Sequence, residues 1–167
     1  LWEAFANSSG KNIGELMNSW LEQSGLPIVS VTQNGKILEL SQQRLLLDSD
    51  TTSSQMWQIP LLSSSTLTPD TFDEKSATVA SETDEMVLLN QEASGHYVVQ
   101  YNSEEQLTHL KEGLQTLSIE AGGRINSLND MILLSKAGKI SLADALSVIK
   151  TLKDEPRDSV WGMISAI

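Results

Sequence analysis

The sequence predicts an α+β protein: a small antiparallel β-sandwich followed by the first helices of an α-solenoid-like domain. Apolar residues recur at helical spacing at both ends of the chain. Between these ends lie at least five short, β-branched or alternating segments separated by turns. The period changes near residues 26 and 102, so we expect three parts, at 1–25, 26–102 and 103–167.

Composition narrows the class of protein. With 167 residues and 40% hydrophobic residues, the chain can build a packed core of one domain or two small ones. Its net charge of −11 argues against binding nucleic acid or an anionic membrane, which need a basic face. There is no Cys for a disulfide or a thiolate site, which fits a cytoplasmic location. No signal peptide opens the chain, and no apolar run approaches the ~18 residues that span a bilayer.

Both ends of the sequence are apolar and are expected to be cut surfaces. The chain starts without Met, in a segment typical of the last turns of a helix, and it stops within the apolar segment 160–167. We expect self-association through the apolar residues of these ends, which are Trp2, Phe5, Trp161 and Ile164.

A helix is predicted over residues 12–23. Its apolar stripe consists of Ile13, Met17, Trp20 and Leu21. Asn12 can cap the N-terminus, and Glu15, three residues later, can return a hydrogen bond to the backbone of Asn12. Gly25 and Pro27 end the helix.

Two strands, at 28–32 and 36–44, flank Asn34-Gly35, which favours a hairpin with a type I′ turn. Each strand is expected to bury one face, Val29 and Val31 on the first and Leu38 and Leu40 on the second. Three more strands are predicted at 56–62, 85–90 and 96–101, the last two joined by a turn at 91–95. The segments 48–55 and 63–76 are expected to be loops.

Helical spacing returns after residue 102. Ser103 with Gln106 forms a predicted capping box, a second helix runs over 124–137, and Ser141 with Asp144 starts a third. Pro156 fits the start of a fourth helix carrying Val160 and Trp161. The predicted stripes are Leu107, Leu110 and Leu114; Ile125, Leu128, Ile132 and Leu133; and Leu142, Leu146, Ile149 and Leu152.

A set of short motifs follows in order along the chain. The first is Trp20, Gln23, Gly25 and Pro27 at the helix–strand junction. The later ones are Gln42-Gln-Arg44, Trp57-x-Ile-Pro60, Asn90, Gly95-x-Tyr97 with Tyr101, Arg124, Asn129-Asp130, Ala137-Gly138, and Glu155 with Trp161. Together they resemble the zinc aminopeptidases of the aminopeptidase N, puromycin-sensitive and endoplasmic-reticulum type. Leu45, Val98 and Gly123 depart from the family's usual aromatic, Arg and Asp.

The resemblance implies a segment from the C-terminal half of such an enzyme. Residues 1–25 would be the last helices of the catalytic domain, 26–102 a spacer sandwich, and 103–167 the truncated start of the helical cover over the active site. The parent would remove N-terminal residues from peptides, with zinc in its catalytic domain. The partners of this chain would be that domain and the remaining C-terminal helices. Peptides would be reached only through the parent.

The chemistry of catalysis is missing from this sequence. A zinc peptidase needs two His at i and i+4 with a Glu between them, whereas the two His here, His96 and His109, fall in different predicted elements. The family's Gly-x-Met-x-Asn motif and a Gly-x-Ser-x-Gly elbow are also absent. We therefore predict no catalytic, cofactor-binding or metal-binding residue, and no activity for this chain alone.

Four features invite a functional interpretation but favour a structural one. Gly122-Gly123 hints at an anion cradle, although flexibility at a helix start explains it better. Asp48-Ser-Asp50 could touch a cation but lacks the rest of an EF-hand loop. The aromatic residues Trp20, Trp57 and Tyr97 are expected in the core or at an interface. Arg44 and Arg124 are expected to form ion pairs at domain contacts.

Two other functions stay open. The chain could be a stand-alone protein-interaction module, binding through a strand edge or a helical groove. An unrecognised hydrolase would require a pocket with convergent titratable groups, and the sequence offers no such cluster.

Overall fold

The structure is a computed structural model that describes residues 2–47 and 53–165. Along these described residues the order of elements is two helices, six strands and four helices, which confirms the α+β class and the predicted order. The helices are α1 (Trp2–Ser9), α2 (Ile13–Leu21), α3 (Glu104–Gln115), α4 (Ala121–Lys136), α5 (Leu142–Ile149) and α6 (Asp158–Ser165), with a 3₁₀ turn at Lys150–Leu152. The strands are β1 (Pro27–Asn34), β2 (Ile37–Arg44), β3 (Ile59–Pro60), β4 (Thr71–Phe72), β5 (Ser76–Ala80) and β6 (Val98–Tyr101).

The main sheet has four strands in the order β5-β2-β1-β6. The β1–β2 hairpin and the β2–β5 pair are antiparallel, but β6 runs parallel to β1, so the sheet is mixed rather than wholly antiparallel. The predicted hairpin between residues 85–90 and 96–101 is therefore wrong: β6 takes its hydrogen bonds from β1, about 70 residues earlier in the chain. A two-stranded sheet of β3 and β4 completes the β part.

The β1–β2 hairpin forms as predicted, with a turn one residue later than expected. Asn34 pairs with Ile37, so the two loop residues are Gly35 and Lys36. Only Gly35 has a positive φ, 57°, as a type II′ turn requires, whereas the predicted type I′ turn needs positive φ at both central residues.

The two strands of this hairpin differ in their pattern of burial. β2 alternates as predicted, with Leu38 and Leu40 buried and their neighbours exposed. β1 does not: residues 27–31 are all buried, so its side chains are covered on both faces of the sheet. The expectation that β1 is half-buried is therefore wrong.

The middle of the chain is less regular than predicted. Trp57, Ile59 and Leu61 are buried on alternate positions as expected, although only β3 within 56–62 is a regular strand. Residues 85–90 contribute one isolated bridge, between Ser63 and Leu89, instead of a strand. Strand β4 lies inside the predicted loop 63–76, and β5 was not predicted. The acidic segment Asp48-Ser-Asp50 lies outside the described residues.

Helix starts follow the predicted caps. Asn12 accepts the backbone N–H of Glu15, but the return bond joins the two side chains (2.9 Å) instead of reaching the Asn12 backbone. Ser103 and Gln106 form the complete capping box, and Ser141 caps α5.

The predicted apolar stripes of two helices are partly wrong. In α5, Leu142 and Leu146 are exposed (62% and 49%), while Ala145 and Val148 are buried against the core. Helix α5 carries apolar side chains on two faces. The face with the smaller side chains, Ala145 and Val148, is the buried one, and α5 packs against α4. In α4, Leu128 is buried as predicted, and the other fully buried apolar side chains are Met131 and Leu134.

Sheet and helices share one hydrophobic cluster, with members from β1 to α6. Phe5 and Trp161 at the two ends are exposed as predicted, whereas Trp2 and Ile164 are partly buried. Within the described ranges, every helix is too short or too polar to cross a membrane. The division into three domains stays a prediction.

Candidate functional site at the junction of sheet and helices

A small cavity with room of ≈ 20 Å³, partly open to solvent, lies where the sheet meets the helices. From the β side it is lined by the 88–91 segment, Val99 and Tyr101, and from the helical side by residues of α3 and α4. Its polar lining residues are Asn90, Gln91, Tyr101, Asn126, Ser127 and Asp130. The cavity is large enough for about one water molecule.

Asp130 is the buried acid of this junction, with 2% of its surface exposed. Its Oδ2 accepts the backbone N–H of Val99 at 3.0 Å and the side-chain amide of Asn126 at 3.2 Å. Its Oδ1 is buried and has no hydrogen-bond partner among the described residues. Burial raises the pKa of Asp130 to about 8, because the charged form loses its water, and the Val99 N–H offsets only part of that shift.

Two tyrosines of the β part bind backbone groups, and one of them, Tyr101, lines this cavity. The Tyr101 hydroxyl accepts the N–H of Leu89 at 3.2 Å, and the Tyr97 hydroxyl donates to the carbonyl of Leu61. Burial raises the pKa of both phenols above the ordinary value of 10, with the Asp130 charge adding to the effect. Tyr97 is thus a core residue, as predicted.

Asn90 shapes the segment that leads into β6. It has a φ of 53° and is 1% exposed, and its side chain bonds both the N–H (2.8 Å) and the carbonyl (3.0 Å) of Gly95. Asn tolerates this left-handed conformation better than most residues. The motif residues Asn90 and Gly95 therefore close one loop.

Gly123 permits the first turn of α4 to approach this loop. A Cβ at Gly123 would lie 2.6 Å from the carbonyl oxygen of Gln91 and 2.8 Å from a methyl group of Ile119. Gly123 is thus a close-packing contact with a neighbouring backbone, where the sequence suggested helix-start flexibility for the Gly122-Gly123 pair.

Arg124 forms an ion pair, as predicted, but its partner Glu155 lies in the same predicted part, 103–167, and not across a domain contact. Its Nε and Nη2 donate to the two carboxylate oxygens of Glu155 at 2.6 and 2.7 Å, and its Nη1 donates to the carbonyl of Ile119 at 2.6 Å. Hydrogen bonds from Arg124 hold the pKa of Glu155 below its usual value of 4.5. This pair joins α4 to the segment that precedes α6.

The motif residues at the other end of the sheet attach α2. Trp20 Nε1 donates to the carbonyl of Gln58 at 3.0 Å, and Gln23 Nε2 donates to that of Met56 at 2.6 Å. The rings of Trp20 and Trp57 lie 6.3 Å apart. Both aromatic residues therefore pack between α2 and the segment that precedes β3, in agreement with the sequence prediction.

Arg44 lies at the same junction. It donates to the Gln55 side chain at 2.7 Å and to the Ser24 hydroxyl at 3.3 Å, so it links the end of β2 to the segment after α2.

Buried Gln42 connects β2 to the segments around the second sheet. Its amide nitrogen donates to the carbonyls of Trp57 and Glu74, both at 3.0 Å, and its oxygen accepts the Trp57 N–H at 2.8 Å. One side chain thus satisfies three backbone groups.

The two histidines do not meet. His96 is exposed and lies 5.9 Å from the Trp20 ring, and His109 is exposed on α3 as expected. Across residues 2–47 and 53–165, no three His, Cys, Asp or Glu side chains come together in a way that could hold a metal ion.

Sequence reasoning missed the role of Asp130. It matched Asn129-Asp130 to a motif but did not place an acid in the core. The available signal was a charged residue between Leu128 and Met131, on the side of α4 that is buried.

Comparison with known proteins shows relatives of one kind. No family model matches the chain. It is 31% identical over 181 residues to the puromycin-sensitive aminopeptidase of Caenorhabditis elegans, a match that covers 98% of this chain and 19% of that protein. It is 32% identical to the alanine/arginine aminopeptidase of Saccharomyces cerevisiae (98% and 20% covered) and 29% identical to aminopeptidase N of Lactococcus lactis subsp. lactis (93% and 19%).

These matches confirm the resemblance found in the motifs. The chain is homologous to a segment of aminopeptidases of the aminopeptidase N and puromycin-sensitive type. It spans about a fifth of the length of the curated relatives it matches.

Proposed function

We propose that this chain is a non-catalytic segment of a zinc-dependent aminopeptidase that removes N-terminal residues from peptides. The observation that carries the proposal is the similarity to aminopeptidases along 98% of the chain, in a stretch that contains no His-Glu-x-x-His. Zinc and the reacting groups would belong to the parent's catalytic domain, and the residues of this chain would bind neither.

The segment would serve as a spacer and as the beginning of a cover. A spacer must hold its neighbours in one orientation, and the hydrogen bonds of Trp20 and Gln23 fasten α2 and the residues after it to the segment that precedes β3. Asp130 and Gly123 bring α4 against the β part on the other side. These contacts support one rigid unit from α2 to α4.

The proposed partners are the parent's catalytic domain and its remaining C-terminal helices. Exposed apolar side chains support this, because Leu21, Leu142, Leu146 and Trp161 are between 41% and 64% exposed. The net charge of −11 supports the absence of nucleic-acid and membrane partners. The cytoplasm is the proposed compartment.

Activity and zinc content of the purified chain test the proposal. We expect no hydrolysis of alanyl, arginyl or leucyl p-nitroanilide, and no zinc retained after dialysis by elemental analysis. The longer protein that contains this sequence should hydrolyse these reporters and lose activity to a chelator. Turnover by the chain alone, or one tightly held zinc per chain, would contradict the proposal.

The alternative is a stand-alone interaction module. It is favoured by the exposed Leu142 and Leu146 on α5, a surface that a binding partner could cover. The two proposals differ in the reading frame upstream of Leu1. A His-Glu-x-x-His encoded there in frame supports the aminopeptidase segment, and a start codon directly before Leu1 supports the module.

A further inference from the structure

The cavity beside Asp130 has the size and the lining of a site for one polar molecule. Its volume is ≈ 20 Å³, and a buried water needs at least about 10–15 Å³ and two to four polar partners. The side chains of Asn126, Ser127 and Tyr101 are among the polar groups that line it. The buried Oδ1 of Asp130 needs a partner, since a buried polar atom without one is rare in folded proteins.

The two oxygens of Asp130 have different tasks. Oδ2 accepts two N–H groups, so it is the natural position of the carbonyl oxygen of a neutral acid. Oδ1 accepts nothing from the described residues and can therefore carry the proton. A protonated Oδ1 needs an acceptor, and a water in the cavity would supply one.

We propose that the cavity binds a single ordered water, that Asp130 is protonated and donates to this water through Oδ1, and that acid and water together hold α4 against β6. The contact joins α4 to the edge of the main sheet. β6 is an edge strand of the sheet, and Asp130 satisfies the N–H of Val99 on it. This inference does not depend on the proposed aminopeptidase function.

The surroundings of Asp130 favour the neutral form. The titratable groups near it on the β side are the hydroxyls of Tyr101 on β6 and of Tyr97, which directly precedes β6, and their raised pKa values keep them uncharged. Residues 88–91 and the cavity-lining residues of α3 and α4 other than Asp130 are uncharged as well. The nearby cation of α4, Arg124, is engaged by Glu155. No described lining group therefore supplies the positive charge that a buried carboxylate requires.

A protonated Asp130 in the folded state makes the free energy of unfolding fall as pH rises. A folded-state pKa raised from 3.8 to about 8 means that the folded protein holds this proton where the unfolded chain has lost it. The stabilising contribution is fully present below the unfolded pKa and is lost as pH rises through about 8. Over this range the unfolding equilibrium constant should rise by up to about tenfold per pH unit.

Two measurements on the 167-residue chain test the proposal. The first is an NMR titration of the Asp130 side-chain carboxyl carbon in the unaltered chain, which we expect to change near pH 8. The second is water–protein cross-relaxation, or a high-resolution crystal structure, which should show one long-lived water beside Asp130. A carboxyl that titrates near pH 4, or a cavity without water, overturns the proposal.

Variants of Asp130 test whether the neutral form of this side chain is the stabilising one. Asp130→Asn mimics the protonated acid, because its amide can accept from Val99 and donate to the water. Its stability relative to the unaltered chain should increase from pH 5 to pH 8, whereas Asp84→Asn, in an exposed loop, should show no such trend. A flat difference for Asp130→Asn contradicts the proposal. A second contradicting result would be an unaltered chain that is more stable in NaCl than in choline chloride, with no such difference in Asp130→Asn. That result would assign the cavity to a cation.

Discussion

Arg124 and Glu155 form a two-point ion pair across 31 residues of sequence, and both side chains are buried. Breaking such a pair leaves one charge buried and unpaired, which typically lowers the free energy of unfolding by about 3–5 kcal/mol. We expect losses of this size for Arg124→Met and for Glu155→Met, measured by urea unfolding. The double variant should lose much less than the sum of the two. Additive losses would contradict the pairing.

The same pair should make stability fall in acid. Since Arg124 lowers the folded-state pKa of Glu155, its contribution is present above the unfolded pKa of about 4.5 and is lost as pH falls through the lower folded value. Unfolding curves between pH 6 and pH 3 should therefore show a loss that Glu155→Gln reduces. An equal acid dependence in both proteins would count against this assignment.

Gln42 should be required for the connection between β2 and the second sheet. Gln42→Leu keeps a side chain of similar size but leaves one backbone N–H and two carbonyls without their partner. At about 1–3 kcal/mol for a buried unsatisfied group, we expect a loss of about 3 kcal/mol by chemical denaturation. The control is Gln43→Leu on the exposed side of β2, which should change stability by less than about 0.5 kcal/mol. Equal losses would argue against the role of Gln42.

Gly123 should tolerate no side chain. In Gly123→Ala the new methyl would lie 2.6 Å from a backbone carbonyl oxygen, which cannot turn away as a side chain could. Overpacking of this kind costs about 1–3 kcal/mol. Gly162→Ala in α6 is the matched control, because nothing lies within 4 Å of its Cβ, and it should stabilise the chain by about 0.5–1 kcal/mol. Thermal melts of both variants distinguish packing from helix propensity.

The exposed leucines of α5 should cause self-association of the isolated chain. Leu142 and Leu146 lie one helical turn apart and are 62% and 49% exposed. We expect a concentration-dependent sedimentation coefficient, and we expect Leu142→Lys/Leu146→Lys to shift the chain toward monomer. Thr108→Lys on the exposed side of α3 controls for the added charge. A chain that is monomeric at all concentrations would contradict this expectation.

Local features were predictable because their causes are local. Helix α2 starts at its Asn12 cap, and α3 starts at the Ser103 capping box, since each cap needs only residues three positions apart. The alternation of Leu38 and Leu40 identified β2 and its buried face. Arg124 was expected to form an ion pair, but the sequence did not name Glu155 as its partner. The lack of a His-Glu-x-x-His motif could also be seen in the sequence, because the motif spans only five consecutive residues.

The remaining features depend on contacts between distant segments. The sequence by itself determined the order of helices and strands, the caps and the family resemblance. Only the tertiary structure decided that β6 pairs with β1 in parallel, that α5 buries Ala145 instead of Leu142, and that Asp130 lies inside. The physical reason is that hydrophobic period shows which faces can be buried, whereas the partner that covers a face is set by packing across the whole chain.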